Sequence, residues 1–209
     1  EGCNSPYPCA FWKYCARHVP VPSVFDIYRM PFTKALELYK QGITDVKDVL
    51  ASTKLNDLQK QQIDYILNDK PDHVDKDGIR SFLDGLSYPL YFLDFETMQL
   101  VLPEYPNSHP YQQITFQYSL HYIEQEGGEV KHKEFLGESG VDPRRALAEQ
   151  LVKDIPTDAC VLAYNMGFEK GRIKELACLF PDLSNSLMKI RDNVKDLIDP
   201  FHDGYYYNK

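Results

Sequence analysis

The sequence contains no apolar run close to the roughly 20 residues that a membrane-spanning helix needs. No apolar run follows a basic N-terminal stretch, so a signal peptide is not predicted and we expect a cytoplasmic protein without membrane association. Basic residues are outnumbered, because 23 Lys and Arg stand against 31 Asp and Glu and give a formal charge of −8. This balance argues against a broad basic face that coats duplex DNA, but it allows an enzyme with acidic metal ligands and local basic patches.

The chain does have enough apolar material for a core, since 43% of its 209 residues are hydrophobic. Its length allows one large domain, or one domain with a smaller appendage, and its composition excludes wholesale disorder. The sequence begins at Glu1 without an initiator Met and stops in the tyrosine-rich stretch 205–209. We interpret it as a piece of a longer protein; a complete, processed protein is the alternative.

Three of the five cysteines lie close together at an even spacing, namely Cys3, Cys9 and Cys15. An odd total in a chain without a secretory signal argues against a disulfide framework. Three neighbouring thiolates are typical ligands of zinc or of a 4Fe–4S cluster, and both usually have four ligands. His18 would complete a zinc site and a cysteine before Glu1 would complete a cluster; three reduced thiols are the alternative. Cys160 and Cys178 stand in apolar runs and are predicted to be core thiols.

The segment around the three cysteines is rich in proline and aromatic residues, namely Pro6, Tyr7, Pro8, Phe11, Trp12 and Tyr14. It resembles the C-terminal cysteine cluster of RecB-like PD-(D/E)xK nucleases, in which three cysteines follow the nuclease core and a fourth lies far upstream. The resemblance implies an iron–sulfur nuclease domain before Glu1. It places no such domain within this chain.

The region that follows the cysteines is predicted to be mostly helical. Its patterns predict helices over 28–39 and 56–67. The sequence between them, 39–46, is similar to the hairpin of a helix-hairpin-helix unit, in which Gly42 makes the tight turn. Such a hairpin can present backbone N–H groups to a phosphate; a small helical spacer is the alternative. A polar linker then leads to a short helix predicted over 79–86.

The rest of the chain alternates between strand and helix patterns. Strands are predicted over 90–97, 114–123, 130–136, 159–164 and 194–198, and helices over 142–153, 168–180 and 183–190. The first three strands are predicted to form an antiparallel meander, whereas helical crossovers imply that the later strands lie parallel beside the first. This order predicts an α/β fold with a ribonuclease H-like mixed sheet: three antiparallel strands, then parallel strands with helical crossovers, preceded by a small helical region.

Two carboxylates end the first of these strands, because Asp94 and Glu96 follow the apolar run 90–93. The period of two in a strand puts both side chains on one face, with Phe95 opposite. Two like charges so placed must be solvated, paired or bridged by cations, and Mg²⁺ or Mn²⁺ prefers carboxylate and water oxygens. We therefore predict a divalent-cation site at this strand end; a solvent-exposed pair, or an ion pair with a nearby Lys, is the alternative.

A second polar cluster follows the strand predicted over 159–164. Asn165 lies at the strand end, where it could cap the next helix. Glu169 lies in the first turn of that helix, where the helix dipole favours a carboxylate. A crossover that brings Glu169 beside Asp94 and Glu96 would complete a three-carboxylate site. An acid that serves the helix terminus alone is the alternative.

These two clusters together resemble motifs of the DEDD, or DnaQ-like, 3′–5′ exonuclease superfamily. Residues 93–97, LDFET, look like its first motif, D-x-E-T, and residues 164–169, YNMGFE, look like its second, an Asn followed by Phe and an acid. The second motif usually ends in Asp, where this chain has Glu169. The third motif, a Tyr or His followed by an Asp on a late helix, is not found. Asp196 stands too early for it, although it could approach the edge of the site.

The resemblance implies roles for the motif residues, and the basic side chain of Arg172 is a further candidate for a substrate contact, with a solvated helix face as the alternative. The catalytic ligands of Mg²⁺ or Mn²⁺ would be Asp94, Glu96 and Glu169. The substrate contacts would be Thr97, Asn165 and Arg172. The expected function is two-metal hydrolysis of phosphodiester bonds at single-stranded 3′ ends of DNA or RNA. Without the last motif this chain alone could be inactive; a non-catalytic module that binds nucleic acid or a protein partner is the alternative.

The order of these features predicts three regions. They are a cysteine-cluster segment at 1–20, a helical spacer at 21–87 and an exonuclease-like domain at 88–209 that is cut before its final acid. The same order resembles uncharacterised bacterial proteins that join a RecB-like, cysteine-clustered nuclease region to a DEDD-type exonuclease domain.

Overall fold

The computed structural model describes Cys3, Tyr7 and residues 9–207 of the chain. The chain divides into two compact units. The N-terminal unit comprises the described residues up to Asp75 together with those from Asp203 on, and the sheet unit comprises Lys76–His202. The three regions expected from the sequence, with limits at residues 20 and 87, stay a prediction.

The N-terminal unit is built from short helices around a small apolar core. Its α-helices are α1 (Trp12–Cys15), α2 (Phe32–Lys40), α3 (Val46–Ser52) and α4 (Asp57–Leu67). Two short strands of the same unit, β1 (His73–Val74) and β7 (Tyr206–Tyr207), pair antiparallel. Val24, Val49 and Ile63 are completely buried in one cluster. Because helices this short are marginal alone, their apolar packing stabilises them.

The first predicted helix of this unit starts later than its sequence pattern indicates. The prediction covers 28–39, but α2 begins at Phe32. Arg29 has a φ of +49°, in the left-handed region, and Pro31 stands immediately before the helix with an extended ψ. The backbone therefore cannot be continuously helical through this stretch, and the predicted start is wrong.

The turn predicted at Gly42 is confirmed, because this residue has a φ of +84°. It leads to α3, which the apolar pattern does not predict because seven residues are too few for a clear periodic signal. The start of α3 is set by Asp45, whose carboxylate accepts the backbone N–H of Lys47 at 3.0 Å. Two helices joined by a glycine turn are therefore present, and phosphate binding by this turn stays a prediction.

The described residues of the sheet unit form a five-stranded mixed sheet flanked by helices. Its elements are α5 (Lys76–Asp84), β2 (Leu90–Gln99), β3 (Gln113–Ile123), β4 (Lys131–Leu136), α6 (Arg144–Asp154), β5 (Cys160–Ala163), α7 (Gly167–Leu179), α8 (Ser184–Asp192), β6 (Val194–Asp196) and α9 (Asp199–His202). The strand order is β4-β3-β2-β5-β6. Antiparallel pairs join β2 to β3 and β3 to β4, whereas β5 pairs parallel with both β2 and β6. The predicted α/β class with a mixed sheet is confirmed.

Apolar residues at every second position of β2 bury one face of the sheet. Tyr91, Leu93 and Phe95 share a core with residues of α6, α7 and α8. Each large apolar side chain that is fully buried in such a core contributes about 1.5–3 kcal/mol relative to its exposed state. Asp94 and Glu96 are exposed, as expected for side chains that alternate with the buried ones and lie on the opposite face.

A buried polar pair joins β3 to the end of α6. Tyr118 Oη donates a 2.6 Å hydrogen bond to Asp154 Oδ2, and Lys133 Nζ lies 3.1 Å from Asp154 Oδ1. Burial and the bond to Asp154 raise the pKa of the Tyr118 phenol. Burial also opposes ionisation of Asp154, but the hydrogen bonds from Tyr118 and Lys133 outweigh it and hold the pKa of Asp154 below its usual range. The pair therefore ties α6 to the sheet as an ionised, hydrogen-bonded contact.

The helices described in the two units are short, and α7 has 13 residues. None of the helices within the described residues combines the length and the apolar composition that crossing a membrane requires. The finding agrees with the lack of a membrane-spanning run in the sequence.

Candidate carboxylate site

The first part of the candidate site lies within β2, after its apolar run. This strand continues to Gln99, so the expectation that Asp94 and Glu96 end it is wrong. Asp94 lies opposite Ser119 of β3, and Phe92 is aligned with Leu162 of the parallel strand β5. Asp94 therefore lies near the point where β5 ends and the chain turns into α7. Among the described residues, neither Asp94 nor Glu96 forms an ion pair with a basic side chain.

The second part of the site is the connection from β5 to α7, which Asp196 holds from the neighbouring strand β6. Asp196 is aligned with Ala163 and is buried. Its Oδ1 accepts the backbone N–H of Asn165 at 2.8 Å, and its Oδ2 accepts that of Met166 at 2.9 Å. The N–H of Ile198 donates to Oδ1 as well, at 3.1 Å. The position of the first turn of α7 is therefore set by a carboxylate from another strand.

This arrangement corrects the expectation that the Asn165 side chain caps α7. The residue immediately before the helix is Met166, and within the described residues no side-chain hydrogen bond caps the helix there. Asn165 has a φ of +61°, in the left-handed region, whereas an N-cap residue is usually extended. The backbone oxygen of Asn165 instead accepts the N–H of Phe168 at 3.2 Å. The predicted proximity of Asp196 to the site is confirmed, because its carboxylate bonds to this same turn.

Glu169 is the buried member of the site. It lies in the first turn of α7 and is only 4% exposed. Its Oε2 atom is buried and has no hydrogen-bond partner among the residues that the structure describes. Burial, together with the negative charges of Asp94 and Asp196, raises the pKa of Glu169, against an opposing hydrogen bond from its own backbone N–H. The carboxylate is therefore both desolvated and close to other acids.

The structure thus brings Glu169 close enough to Asp94 and Asp196 for their charges to raise its pKa. Glu96 extends from β2 two residues beyond Asp94 and is exposed. In the part of the chain that is described, no group of three or more His, Cys, Asp or Glu side chains is arranged to hold a metal ion. The predicted metal-ligand set therefore stays a prediction.

A cavity of about 370 Å³ lies beside Asp94. Ser119 and His121 of β3 line it together with Tyr164, which is 66% exposed. His132 of β4 contacts this group, because its Nε2 lies 3.1 Å from the hydroxyl of Ser119. Sequence reasoning missed these hydrogen-bonding side chains. Alternation along β3 would have put the first two on one face, but their approach to Asp94 depends on the pairing of β2 with β3.

The predicted substrate contacts lie in different surroundings. Thr97 is aligned with Thr115 just after a shift in the pairing register of β2, and Asn165 is exposed at the turn before α7. Arg172 Nη1 donates to Gln113 Oε1 on β3, and its Nη2 donates to Glu175 at 2.7 Å. The basic side chain is therefore held between α7 and the start of β3, and its contact with a substrate stays a prediction.

The cysteines proposed as metal ligands are present as free thiols, namely Cys3, Cys9 and Cys15. The backbone N–H of Cys9 donates to the carbonyl oxygen of Cys3 at 2.8 Å, so these two residues lie close together. His18 Nε2 lies 2.7 Å from Tyr39 Oη, which occupies one of its ring nitrogens. A metal role stays a prediction. The expectation of core thiols is confirmed for Cys160, which is buried, and is wrong for Cys178, which is exposed.

Comparison with known proteins yields one family. A family model described as a domain of unknown function (DUF2779) matches residues 91–209, which begin in β2 and include every residue of the candidate carboxylate site. No curated protein and no solved structure matches the chain.

Proposed function

The chain belongs to the DUF2779 family, and we propose that its sheet unit is the scaffold of a metal-dependent nuclease of the DEDD, ribonuclease H-like type. Its reaction is the hydrolytic removal of nucleotides from single-stranded 3′ ends of nucleic acid. The observation that carries the proposal is the buried carboxylate of Glu169, which lies near Asp94 and has one oxygen without a partner among the described residues.

The strand order supports the ribonuclease H-like assignment. Three strands form an antiparallel meander, β4-β3-β2, and β5 and β6 extend the sheet in parallel. In open α/β sheets, ligands bind outside the carboxyl ends of parallel strands, because the loops and helix N-termini there are free to contact them. Asp196 is the last residue of β6, and the turn before α7 follows the end of β5. Asp94 lies in the middle of β2, just beyond the part of this strand that pairs with β5.

The donor set fits a divalent cation. Asp94, Glu96 and Glu169 would hold it through carboxylate oxygens, which are the ligands that Mg²⁺ and Mn²⁺ prefer. A buried carboxylate that lacks a partner among the described residues is costly, and a cation would offset that cost and favour the ionised form of Glu169. When bound, Mg²⁺ or Mn²⁺ supplies an activated water and stabilises the charge on the leaving oxygen.

The chain's own groups would position the site and receive the substrate. Asp196 holds the backbone N–H groups that precede α7 and so keeps Glu169 close to Asp94. In the cavity beside Asp94, Ser119 and His121 offer hydrogen bonds to the sugar and phosphate of a terminal nucleotide. Further contacts are proposed for Thr97, Asn165 and Arg172.

The test combines cation binding with cleavage. Mn²⁺ is titrated calorimetrically into the 209-residue chain, and a 5′-labelled single-stranded oligonucleotide is then incubated with chain and Mn²⁺. We expect saturable Mn²⁺ binding and a ladder of products shortened from the 3′ end. Asp94→Asn should lower the cleavage rate by at least about 100-fold, as loss of a charged transition-state contact does. Asp158→Asn, an exposed acid before the start of β5, serves as the matched control and should change neither quantity.

Two outcomes would contradict the proposal. Cleavage that survives Asp94→Asn would remove this carboxylate from the mechanism. Binding of the oligonucleotide by the wild type without any cleavage would favour the alternative, a non-catalytic module that binds nucleic acid on a ribonuclease H-like scaffold.

A second cofactor is proposed for the N-terminal unit. The thiols of Cys3, Cys9 and Cys15 are free and lie within 13 residues of sequence, which suits a thiolate-bound zinc ion or a 4Fe–4S cluster. The fourth ligand is proposed to be His18 for zinc, or a cysteine from another part of the protein for a cluster.

A further inference from the structure

A second and larger cavity lies in the sheet unit, with a volume of about 500 Å³. It is bounded by the start of β3, the start of α6 and one side of α7. Its lining combines apolar side chains of α7 with the polar and cationic side chains of Gln112, Gln113, Thr115, Arg144, Arg172 and Lys174. Its lining, within the described residues, includes none of the three proposed metal ligands and shares no residue with the cavity beside Asp94.

Arg144 is fixed in the wall of this cavity and is only 4% exposed. Its Nε and Nη2 atoms donate to the two carboxylate oxygens of Asp142 at 2.9 and 2.6 Å, and Nη2 also donates to the carbonyl oxygen of Pro106 at 2.6 Å. Burial opposes ionisation of Asp142, but the hydrogen bonds and charge of Arg144 outweigh it and hold the pKa of this carboxyl below its usual range. The guanidinium is therefore held in place before any ligand arrives.

One nitrogen of this guanidinium is left without an acceptor in the described part of the chain. Arg144 Nη1 is buried and has no hydrogen-bond partner among the described residues. A buried N–H group that loses water and gains no acceptor costs about 1–3 kcal/mol, and more when the group is charged. Since Nε and Nη2 are already bonded to Asp142, Nη1 is the one nitrogen of Arg144 that lacks an acceptor among the described residues.

Arg172 approaches the same cavity from α7 and is held in a similar way. Its Nη1 donates to Gln113 and its Nη2 to Glu175, while its Nε is buried and lacks a partner within the described part of the chain. The guanidinium carbon also lies 5.4 Å from the centre of the Phe168 ring, a cation–π distance. Two guanidinium groups that hydrogen bonds hold in place therefore line one cavity, and each keeps a nitrogen without an acceptor among the described residues.

The charges around the cavity select an anion. Its cationic side chains are Arg144, Arg172 and Lys174, and the nearby carboxylates are Glu175 in the lining and Asp142 behind Arg144. Three cationic groups against two carboxylates leave an excess of one positive charge. Guanidinium groups bind phosphate through directed N–H bonds, and a phosphate monoester offers three acceptor oxygens with a charge of about −1.5 to −2.

We propose that the cavity between Arg144 and Arg172 binds a phosphate monoester. Its volume of about 500 Å³ lies in the range of small-molecule sites, so it has room for a nucleoside attached to the phosphate. The proposal deepens the function proposed above, and it rests on that function for a nucleic-acid source of the ligand. The anion site itself involves other side chains than the carboxylates.

The experiment measures anion binding by the full 209-residue chain in the absence of divalent cations. Inorganic phosphate, a nucleoside 5′-monophosphate, and an oligonucleotide with or without a 5′-phosphate are each titrated calorimetrically. If the nucleoside monophosphate binds more tightly than inorganic phosphate, the cavity is a nucleotide site. If the 5′-phosphorylated oligonucleotide binds more tightly than the unphosphorylated one, the cavity binds the 5′ terminus of a strand. Equal affinities identify a site for the free anion, and each of these three results supports phosphate binding.

Arg172→Gln is the test variant, because this side chain is less buried than that of Arg144 and its loss is less disruptive to the fold. We expect it to weaken phosphate binding by about tenfold or more, the usual effect of losing a charged hydrogen-bond donor. Lys174→Gln, at an exposed position of the same lining, should weaken it to a smaller extent. The matched control is Arg191→Gln, because Arg191 also has a buried unsatisfied Nε among the described residues but does not line this cavity.

Absence of saturable binding for all of these probes would overturn the proposal, as would an equal loss of affinity in Arg172→Gln and Arg191→Gln. The carboxylate site is read out separately, because Asp94→Asn should abolish cleavage while its phosphate affinity stays that of the wild type. Failure of the anion site and failure of the nuclease proposal are therefore distinguishable.

Discussion

Asp196 Oδ1 accepts the backbone N–H of Asn165 at 2.8 Å, across 31 positions of sequence. Through this bond, and through that from Met166 at 2.9 Å, one carboxylate of β6 holds the turn between β5 and α7. The same carboxylate contributes to the raised pKa of Glu169. The contact that orders the turn therefore also makes the ionisation of Glu169 less favourable, and both effects depend on one side chain.

Removal of this carboxylate should loosen the start of α7. Asp196→Ala leaves the N–H groups of Asn165 and Met166 without their acceptor, so we expect a loss of about 2–3 kcal/mol in the free energy of unfolding. Urea unfolding followed by circular dichroism measures it. Asp192→Ala is the control, because its ion pair with Arg191 is largely exposed and should contribute less than about 1 kcal/mol. Similar losses in both variants would show that Asp196 is not a structural anchor.

Replacement of Glu169 by Gln should stabilise the metal-free chain at neutral pH. The change removes a buried negative charge that lies near two other acids, and we expect a gain of about 1 kcal/mol in the free energy of unfolding. The same variant should lose Mn²⁺-dependent cleavage, because the neutral amide is a poor cation ligand. If Glu169→Gln is less stable than the wild type, the predicted gain in stability is wrong. If it still cleaves with Mn²⁺, the predicted role of Glu169 as a cation ligand is wrong.

The pH dependence of stability follows from the raised pKa of Glu169. Between the usual pKa of a glutamate in the unfolded chain and the higher native value, the native state binds the extra proton. The contribution of this group to stability is therefore complete below the unfolded pKa and is lost as the pH rises through the native pKa. Thermal unfolding across this window should show a smaller decline for Glu169→Gln than for the wild type. Glu138→Gln, at an exposed position, is the control, and its stability should fall with rising pH as that of the wild type does.

The Tyr118–Asp154 hydrogen bond should contribute to the stability of the sheet unit. Tyr118→Phe removes the donor and leaves the Asp154 carboxylate with Lys133, so we expect a loss of about 1–3 kcal/mol. Because the pKa of Asp154 is depressed, its stabilising contribution is present above the usual aspartate pKa and is lost as the pH falls through the native value. In Tyr118→Phe the decrease in the free energy of unfolding at low pH should be smaller than in the wild type. Urea unfolding at several pH values measures this decrease. Tyr111→Phe, a tyrosine that is 63% exposed, should behave like the wild type.

The cysteine proposal predicts bound metal in the N-terminal unit. Chain purified without chelator should contain zinc, measured by elemental analysis, because the three thiolates and His18 would supply four ligands within the chain. Cys15→Ser should reduce the metal content, because it removes one of the three neighbouring thiolates. Cys178→Ser, which alters an exposed thiol of the sheet unit, should leave it unchanged. Chain that contains no zinc under these conditions would contradict a zinc site formed with His18 as the fourth ligand.

Local patterns were sufficient for much of the sheet unit. The apolar run 90–93 predicts β2, and the alternation of side chains along any strand puts Asp94 and Glu96 on the face opposite Phe95. The helix that begins at Gly167 and carries Glu169 is predicted one residue late. The N-terminal unit is less regular, since α3 is too short for a periodic signal and a residue with positive φ delays the start of α2.

Local sequence patterns could not predict polar contacts between residues that are far apart in the sequence. The predicted cap at Asn165 is wrong because a left-handed backbone at that position turns the chain so that Asp196 can accept its N–H. The positions of Ser119 and His121 beside Asp94 depend on the pairing of β2 with β3, in which a slip of one residue would move both side chains to the other face.

The amino-acid sequence alone was enough to specify the α/β class, the strand that presents Asp94 and Glu96, and the helix whose first turn carries Glu169, because these features depend on neighbours a few residues away. The tertiary structure was needed to bring Glu169 near Asp94 and Asp196, and to gather Arg144 and Arg172 around one cavity. These groupings join residues that are tens of positions apart. Their electrostatic effects depend on distance and burial, which a pattern of residue types does not contain.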